Sequence, residues 1–302
     1  MKVAICFYGL PRLTEKCYND IFHYFIEGNE CDIYAHLWWN DSYKGKVNRL
    51  SVNEKFDQTE NPIETFTRLY KPTRLEYEDC PDFETHDCLY EGWHSPNLED
   101  SEEYDKIIGS YCCYSIYSRH LSMKKSFELI PKDKSYDLII LARSDLLLFK
   151  PGRLIDEIHN LDFNKSLYMP STCFGGPVFA GEHPNRLGDW FHIGNYINFS
   201  KFLETSLTTI TEKKLRIKTH NQERYLFFAG LANVNIEKFI SSISVRRFIF
   251  EEWEFPEYRL SNFINKEDYL EAFVNKSRED INNNQILPFY TKNITTFIGE
   301  KY

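Results

Sequence analysis

Lys2-Val3-Ala4-Ile5-Cys6-Phe7-Tyr8, closed by Gly9-Leu10-Pro11, is a short apolar run ended by turn-forming residues, the pattern of a buried strand. Asp32-Ile33-Tyr34-Ala35-His36-Leu37-Trp38-Trp39 repeats that pattern. Between them, Thr14 offers an N-cap for a helix over Glu15–Ile26, with Cys17, Ile21, Phe22 and Phe25 on one face and Gly28-Asn29 as its stop. The order strand, helix, strand within so short a stretch predicts a parallel sheet and an α/β fold.

Outward from this unit, residues 40–62 are polar and predict a loop. Ile63–Tyr70 predicts a short helix stopped at Lys71-Pro72, and Arg74–Glu78 a third strand. Residues 79–109 are acidic, with the run Glu99-Asp100-Ser101-Glu102-Glu103, and read as an inserted, solvated loop. Ser110–Ile130 predicts a long amphipathic helix in which Tyr111, Tyr114 and Tyr117 pack towards the core. Tyr136–Ala142 is the most apolar strand of all and runs directly into Arg143-Ser144-Asp145. Pro151–Leu161 predicts a helix, Leu167–Pro170 a strand, Asp189–Gly194 a strand ending at glycine, Ile197–Thr209 and Asn221–Ala232 helices, and Val245–Phe250 a strand. Beyond Glu251 the pattern weakens. The expected organisation is one mixed, mainly parallel sheet flanked by helices over 1–250, with a C-terminal extension, 251–302, packed on it.

The chain has 302 residues with 42% apolar and 27% charged side chains, so it can bury a sizeable core and remain soluble. A net charge of −9 argues against nucleic acid as a partner, because phosphate backbones demand a basic face. Aromatics reach 16%; they serve cores first and flat ligand faces second. No signal peptide is read at the start, and no apolar run approaches the ~20 residues of a membrane-spanning helix. The eight cysteines form no CxxC pair, so reduced thiols and a cytoplasmic location are expected.

In an open α/β sheet ligands sit beyond the carboxyl ends of the strands. The residues expected there are Tyr8, Gly9 and Arg12 after the first strand, and His36, Trp38, Trp39 and Asp41 after the second. Arg143, Ser144 and Asp145 follow the central one. Gly175-Gly176, Asp189, Gly194 and Asn195 follow the next pair. There is no GxGxxG, no GxxxxGK(S/T), no GxSxG and no HExxH. A carboxylate at the end of a buried strand suits a divalent cation and a phosphate-bearing ligand.

Four segments in order resemble one family. Val3-Ala4-Ile5-Cys6-Phe7-Tyr8-Gly9-Leu10-Pro11-Arg12 is similar to a hydrophobic strand followed by G-x-P-R. Asp32-Ile33-Tyr34-Ala35-His36-Leu37-Trp38 is similar to D-(I/V)-(F/Y)-x-H-x-W. Tyr136–Asp145 is similar to YDxxIxxRxD, and Gly188-Asp189-Trp190-Phe191-His192-Ile193-Gly194 to D-x-F-x-x-G. In these places the chain resembles GT-A-type glycosyltransferases of the WavE lipopolysaccharide-synthesis kind and their relatives in bacteria and giant viruses; the likeness covers 1–235.

The resemblance implies a GT-A-like, Rossmann-like sheet that moves a sugar from a nucleotide-diphosphate sugar to a glycan acceptor, in surface-polysaccharide or virion-glycan synthesis. For a viral chain the compartment would be the host cytoplasm. It implies nucleotide-sugar contacts from Tyr8, Gly9, Arg12, His36, Trp38, Arg143, Ser144 and Asp145, with Asp145 holding Mn2+ or Mg2+ against the charge developing on the leaving diphosphate. Arg143 stands where the first Asp of a DxD motif would be, so it either contacts the phosphates or locks Asp145 in place. An inverting enzyme also needs a base for the acceptor hydroxyl: Glu223, at the start of a helix, or Asp189. A retaining one does not. Glu252 or Glu254 could add a metal ligand.

Each of these residues has a plainer reading. Arg143 and Asp145 form a strand-end ion pair, His36 is a satisfied half-buried histidine, Glu223 answers a helix dipole, Asp189 caps a turn and Arg12 is a solvated loop cation. Adjacent Trp38 and Trp39 face opposite ways in a strand, so one is expected in the core and the other against a ring. Tyr8 and Trp190 are the other aromatics expected to meet a base or sugar. The rival to an enzyme is a nucleotide- or glycan-binding module that kept the sheet without its metal site. A different nucleotide-dependent transferase, such as a methyltransferase, is disfavoured by the lack of a glycine-rich loop after the first strand.

Overall fold

The computed structural model describes residues 1–11, 14–43, 61–80, 116–148, 153–170, 191–211, 228–239 and 245–247. A seven-stranded sheet runs through them. In chain order its strands are β1 (Lys2–Gly9), β2 (Glu30–Trp38), β3 (Arg74–Glu78), β4 (Leu138–Ala142), β6 (Ser166–Pro170), β7 (Phe191–Gly194) and β8 (Asn235–Phe239). Their spatial order is β3-β2-β1-β4-β7-β6-β8. β1 pairs in parallel with β2 and β4, and β2 with β3. β7 is antiparallel to both β4 and β6, while β6 and β8 are parallel. The sheet is therefore mixed and mostly parallel, with β7 the single reversed strand. A separate two-stranded antiparallel sheet joins β5 (Leu146–Leu148) to β9 (Val245–Arg247).

Alternation along the strands builds two cores. Val3, Ile5 and Phe7 of β1, with Ile33, Ala35 and Leu37 of β2 and Leu138, Ile140 and Ala142 of β4, face one side. They meet α1 (Thr14–Ile21) and α2 (Pro62–Tyr70) through Cys17, Ile21, Phe66 and Tyr70, and α4 (Leu154–Glu157) through Leu154. Ala4, Cys6 and Tyr8, with Tyr34, Ile139 and Leu141, face the other side. There they meet α3, which spans 116–128, through Ile116, Met123 and Phe127, and α5 (Tyr196–Thr211) through Phe199, Phe202 and Leu203. The central strands are buried on both faces, which is why they read as unbroken apolar runs. Phe7 lies 5.6 Å from Phe66 edge-on and 4.7 Å from Tyr70 between ring centroids; a phenylalanine packed in this way contributes about 3–5 kcal/mol relative to alanine.

Several local expectations are refined. Thr14 is the first residue of α1 rather than its cap, and its buried hydroxyl has no partner among the described residues. The expected single helix to Ile26 becomes π-helical over Phe22–Ile26, with Glu27 N–H donating to Phe22 O at 2.8 Å. α2 stops where Lys71-Pro72 predicted: Lys71 is left-handed at φ 46 and its N–H donates to Thr67 O at 3.0 Å. β8 was not anticipated. Asn235-Ile236-Glu237-Lys238-Phe239 is a half-polar edge strand, and an edge strand needs no apolar run.

Cys6, Cys17, Cys31 and Cys80 carry thiols, with no disulfide among the described residues. No helix among those residues is long and apolar enough to cross a membrane. The acidic run 99–103, Tyr111, Tyr114 and the extension 251–302 lie outside the described residues.

Candidate functional site

The register places the key segments side by side. Phe7 of β1 is opposite Ala142 of β4, and Gly9 is opposite Leu37 of β2. Tyr8-Gly9 and Arg143-Ser144-Asp145 therefore leave the carboxyl edge of neighbouring parallel strands, where α/β sheets bind ligands. Gly9 has φ +92, and a Cβ built on it would have no atom of the described residues within 4 Å. The glycine answers both demands, a backbone shape that side chains resist and open space for close approach.

Arg143 and Asp145 close on each other. The Arg143 Nε donates to Asp145 Oδ1 at 2.7 Å and its second terminal nitrogen donates to Oδ2. Asp145 is 1% exposed, whereas the Arg143 side chain is 12% exposed. Burial works against the Arg143 charge, but the Asp145 charge and its hydrogen bonds outweigh it, so the guanidinium is held above its ordinary value. Arg119 of α3 is close enough to press that value down again. Ser144 is buried, and its hydroxyl has no partner among the described residues. The Tyr70 hydroxyl shares that condition; burial first, with Asp145 among the nearby charges, keeps it protonated well above the usual tyrosine range.

A second network ties β1, β2 and β3 to α3. Gly9 N–H donates to Ser122 Oγ at 2.9 Å, and the same oxygen lies 2.9 Å from His36 Nδ1 and 3.0 Å from His36 O. His36 Nε2 is 3.1 Å from Glu78 Oε1, which Lys125 also approaches. The Trp38 indole donates to Ser118 O at 3.1 Å, and its ring meets His36 edge-on at 4.4 Å. Burial lowers the His36 pKa, against the raising effect of its hydrogen bond to Glu78. The Glu78 carboxylate can only accept, so the His36 Nε2 facing it carries a proton.

The sequence expectations divide accordingly. Tyr8, Gly9, His36, Trp38, Arg143, Ser144 and Asp145 gather at the carboxyl edge as expected. The ring-stacking role does not fit the described aromatics: Tyr8, Trp38 and Trp39 are 2%, 3% and 6% exposed. Trp39 packs edge-on against Tyr43 rather than facing outward. Gly194 and Asn195 sit at the opposite edge, because Gly194 pairs with Ile139 at the start of β4 on a reversed strand. Arg12, Gly175, Gly176, Asp189, Trp190, Glu223, Glu252 and Glu254 lie outside the described residues.

Arg119 of α3 was not among the sequence candidates; its neighbours Ser118 and Ser122 bond Trp38 and Gly9, so this stretch of α3 lies at the carboxyl edge.

The described residues do not fit a divalent cation. Asp145 has both oxygens engaged by one guanidinium and is closed from solvent. Among the described residues no three His, Cys, Asp or Glu side chains converge. What the cluster can do chemically is present guanidinium N–H groups to an anion, beside a glycine that leaves room for it.

No protein-family model matches the chain, and no curated protein matches it in sequence.

Proposed function

We propose that the protein is a glycosyltransferase of GT-A-like architecture, working in the cytoplasm. It would take a sugar from a nucleotide-diphosphate donor and pass it to a glycan acceptor in surface-polysaccharide or virion-glycan synthesis. The observation that carries this reading is the buried Arg143–Asp145 fork at the carboxyl edge of β4, beside the open Gly9. A charged pair is costly to bury, and this one stands where an α/β sheet meets its ligand. The mostly parallel sheet flanked by helices supports the same reading.

In this account Gly9 gives the donor close access to the sheet edge. Asp145 holds the plane of the Arg143 guanidinium, and Arg143 faces the diphosphate on which charge develops as the sugar departs. The sequence supplies Glu223 and Asp189 as candidates for the base that takes the acceptor proton in an inverting reaction.

The test is ligand-induced stabilisation followed by transfer. UDP, GDP, CDP and TDP are each added to the purified protein. A specific nucleotide at about a hundred times its Kd should add about 2.7 kcal/mol to the folded state, or roughly 4 °C in Tm. The matching sugar nucleotide should then lose its sugar to a glycan pool. If none of the four moves the Tm, the donor site is wrong. A binding module is the reading favoured by an aspartate already engaged by arginine; it predicts nucleotide or glycan binding without turnover.

A further inference from the structure

We propose that His36 is a proton-linked positioning residue of the carboxyl-edge site: through Ser122 it holds the Gly9 amide, and a nucleoside diphosphate beside Gly9 binds more tightly once the His36 ring is protonated. The ligand in this statement rests on the donor-site reading above; the relay from His36 to Gly9 does not.

One oxygen joins the parts. Ser122 Oγ takes the Gly9 N–H at 2.9 Å, lies 2.9 Å from His36 Nδ1 and stands 3.0 Å from the His36 carbonyl oxygen. A hydroxyl has one proton, and here two atoms compete for it. While the ring is neutral, with its proton on the Nε2 that faces Glu78, one of the two goes without. A hydroxyl turned to the carbonyl sets its own lone pair against that of Nδ1; a hydroxyl turned to Nδ1 withdraws its bond from the carbonyl. Both side chains are buried, so bulk water does not relieve the conflict. A proton on Nδ1 does. Nδ1–H then donates to Oγ, the hydroxyl donates to the carbonyl, and Oγ keeps the Gly9 N–H.

Burial opposes that proton, while Glu78 and Glu76 of β3 favour it and Lys125 of α3 disfavours it. Tyr8 of β1 stands opposite His36 in the register. Glu78 is held below 4.5, so it stays ionised from pH 7.5 to pH 5. The change that a nearby anion senses over this range is therefore the one charge gained at His36, whatever the sum of the charges around it. That charge arises on a ring that shares a single hydroxyl with the Gly9 amide, inside a buried network where salt screens little. Gly9, at φ +92 with open space among the described residues, is where the diphosphate comes closest to the sheet edge. Linkage is reciprocal: a proton on His36 strengthens the hold on the anion, and the bound anion raises the pKa of the ring.

The experiment follows the His36 ring by NMR in the isotopically labelled full chain between pH 7.5 and pH 5, free and then saturated with whichever of UDP, GDP, CDP and TDP binds. The ring pKa should rise on binding. Calorimetry at the two ends of the range should show the Kd falling about threefold to tenfold towards acid, the upper figure being that of a charge pair about 10 Å apart at the effective dielectric of a protein. This ratio is taken relative to His36→Asn, which keeps a partner for Ser122 without a titrating ring and so subtracts the ligand's own phosphate ionisation. Ser122→Ala, which removes the acceptor for Nδ1–H, should lower the ring pKa of the free protein.

A bound nucleotide that leaves the ring pKa where it was, or lowers it, would overturn the proposal while leaving the donor site standing. So would a Kd that changes with pH to the same extent in His36→Asn. A Ser122→Ala protein whose ring titrates as in the wild type would break the relay and overturn the proposal too. If no nucleotide binds at either pH, the proposal falls together with the glycosyltransferase reading. Should the variants fail to fold, the ring titration of the unaltered chain, free and bound, still decides.

Discussion

Breaking the Arg143–Asp145 pair from either side should cost far more than removing it whole. Asp145→Ala leaves a guanidinium that is only 12% exposed without its carboxylate. Arg143→Met leaves a carboxylate at 1% exposure without its cation. Each variant strands a buried charge, for which the expected loss is about 3–5 kcal/mol. Arg143→Met/Asp145→Ala strands neither and should lie within about 2 kcal/mol of the wild type. The double-mutant cycle then returns a coupling of about 3 kcal/mol or more. Urea unfolding measures it, because a shifted midpoint at constant slope reports stability alone. In thermal terms each single change should lower the Tm by roughly 5–8 °C. Losses that simply add in the double variant, or single losses under about 1 kcal/mol, would refute the pair as a buried, mutually dependent unit.

Two further outcomes follow from the same neighbourhood and from the reversed strand. His36 has a folded pKa below its ordinary 6.5, burial being the main cause, so the unfolded chain binds the proton first. Its contribution is present above about pH 6.5 and is lost as pH falls through the lower folded value. Glu78, lowered from 4.5 chiefly by its hydrogen bond to Lys125, loses its contribution as pH falls below 4.5 through its own folded value. Urea midpoints should therefore fall on acidification from pH 7 to pH 4, with the His36 ring titrating below 6.5 by NMR; a His36 that titrates above 6.5 contradicts the network. At Gly194 a Cβ would collide with Leu167 Cδ2 and stand 3.4 Å from Phe199 Cε2. Both neighbours are buried, so Gly194→Ala should destabilise by about 1–3 kcal/mol through overpacking; an unchanged midpoint would mean that Leu167 moves freely.

The parallel half of the sheet was legible because burial on two faces writes itself into the chain. Val3–Tyr8, Ile33–Trp38 and Leu138–Ala142 are apolar at nearly every position, and their two alternating faces supply the two cores. Arg74–Glu78 was legible for another reason, its position between a Pro72 stop and a polar stretch. Asn235–Phe239 was not, since an edge strand keeps polar residues. Leu146–Leu148 is apolar too, yet it lies outside the main sheet and pairs with Val245–Arg247. Apolar character says that a segment is buried; it does not say against what.

The site divides along the same line. The sequence alone determined that Gly9 ends one strand and that Arg143, Ser144 and Asp145 end another, since charges interrupting an apolar run mark where a buried strand leaves the core. Only the tertiary structure decided that Asp145 faces Arg143 with both oxygens and that Tyr8, Trp38 and Trp39 are packed away. It also decided that β7 runs backwards, which carries Gly194 and Asn195 to the far edge. Strand direction and side-chain partnership are settled by contacts between segments far apart in the chain. The local pattern of apolar and polar residues is the same whichever way a strand runs and whichever charge its neighbour carries.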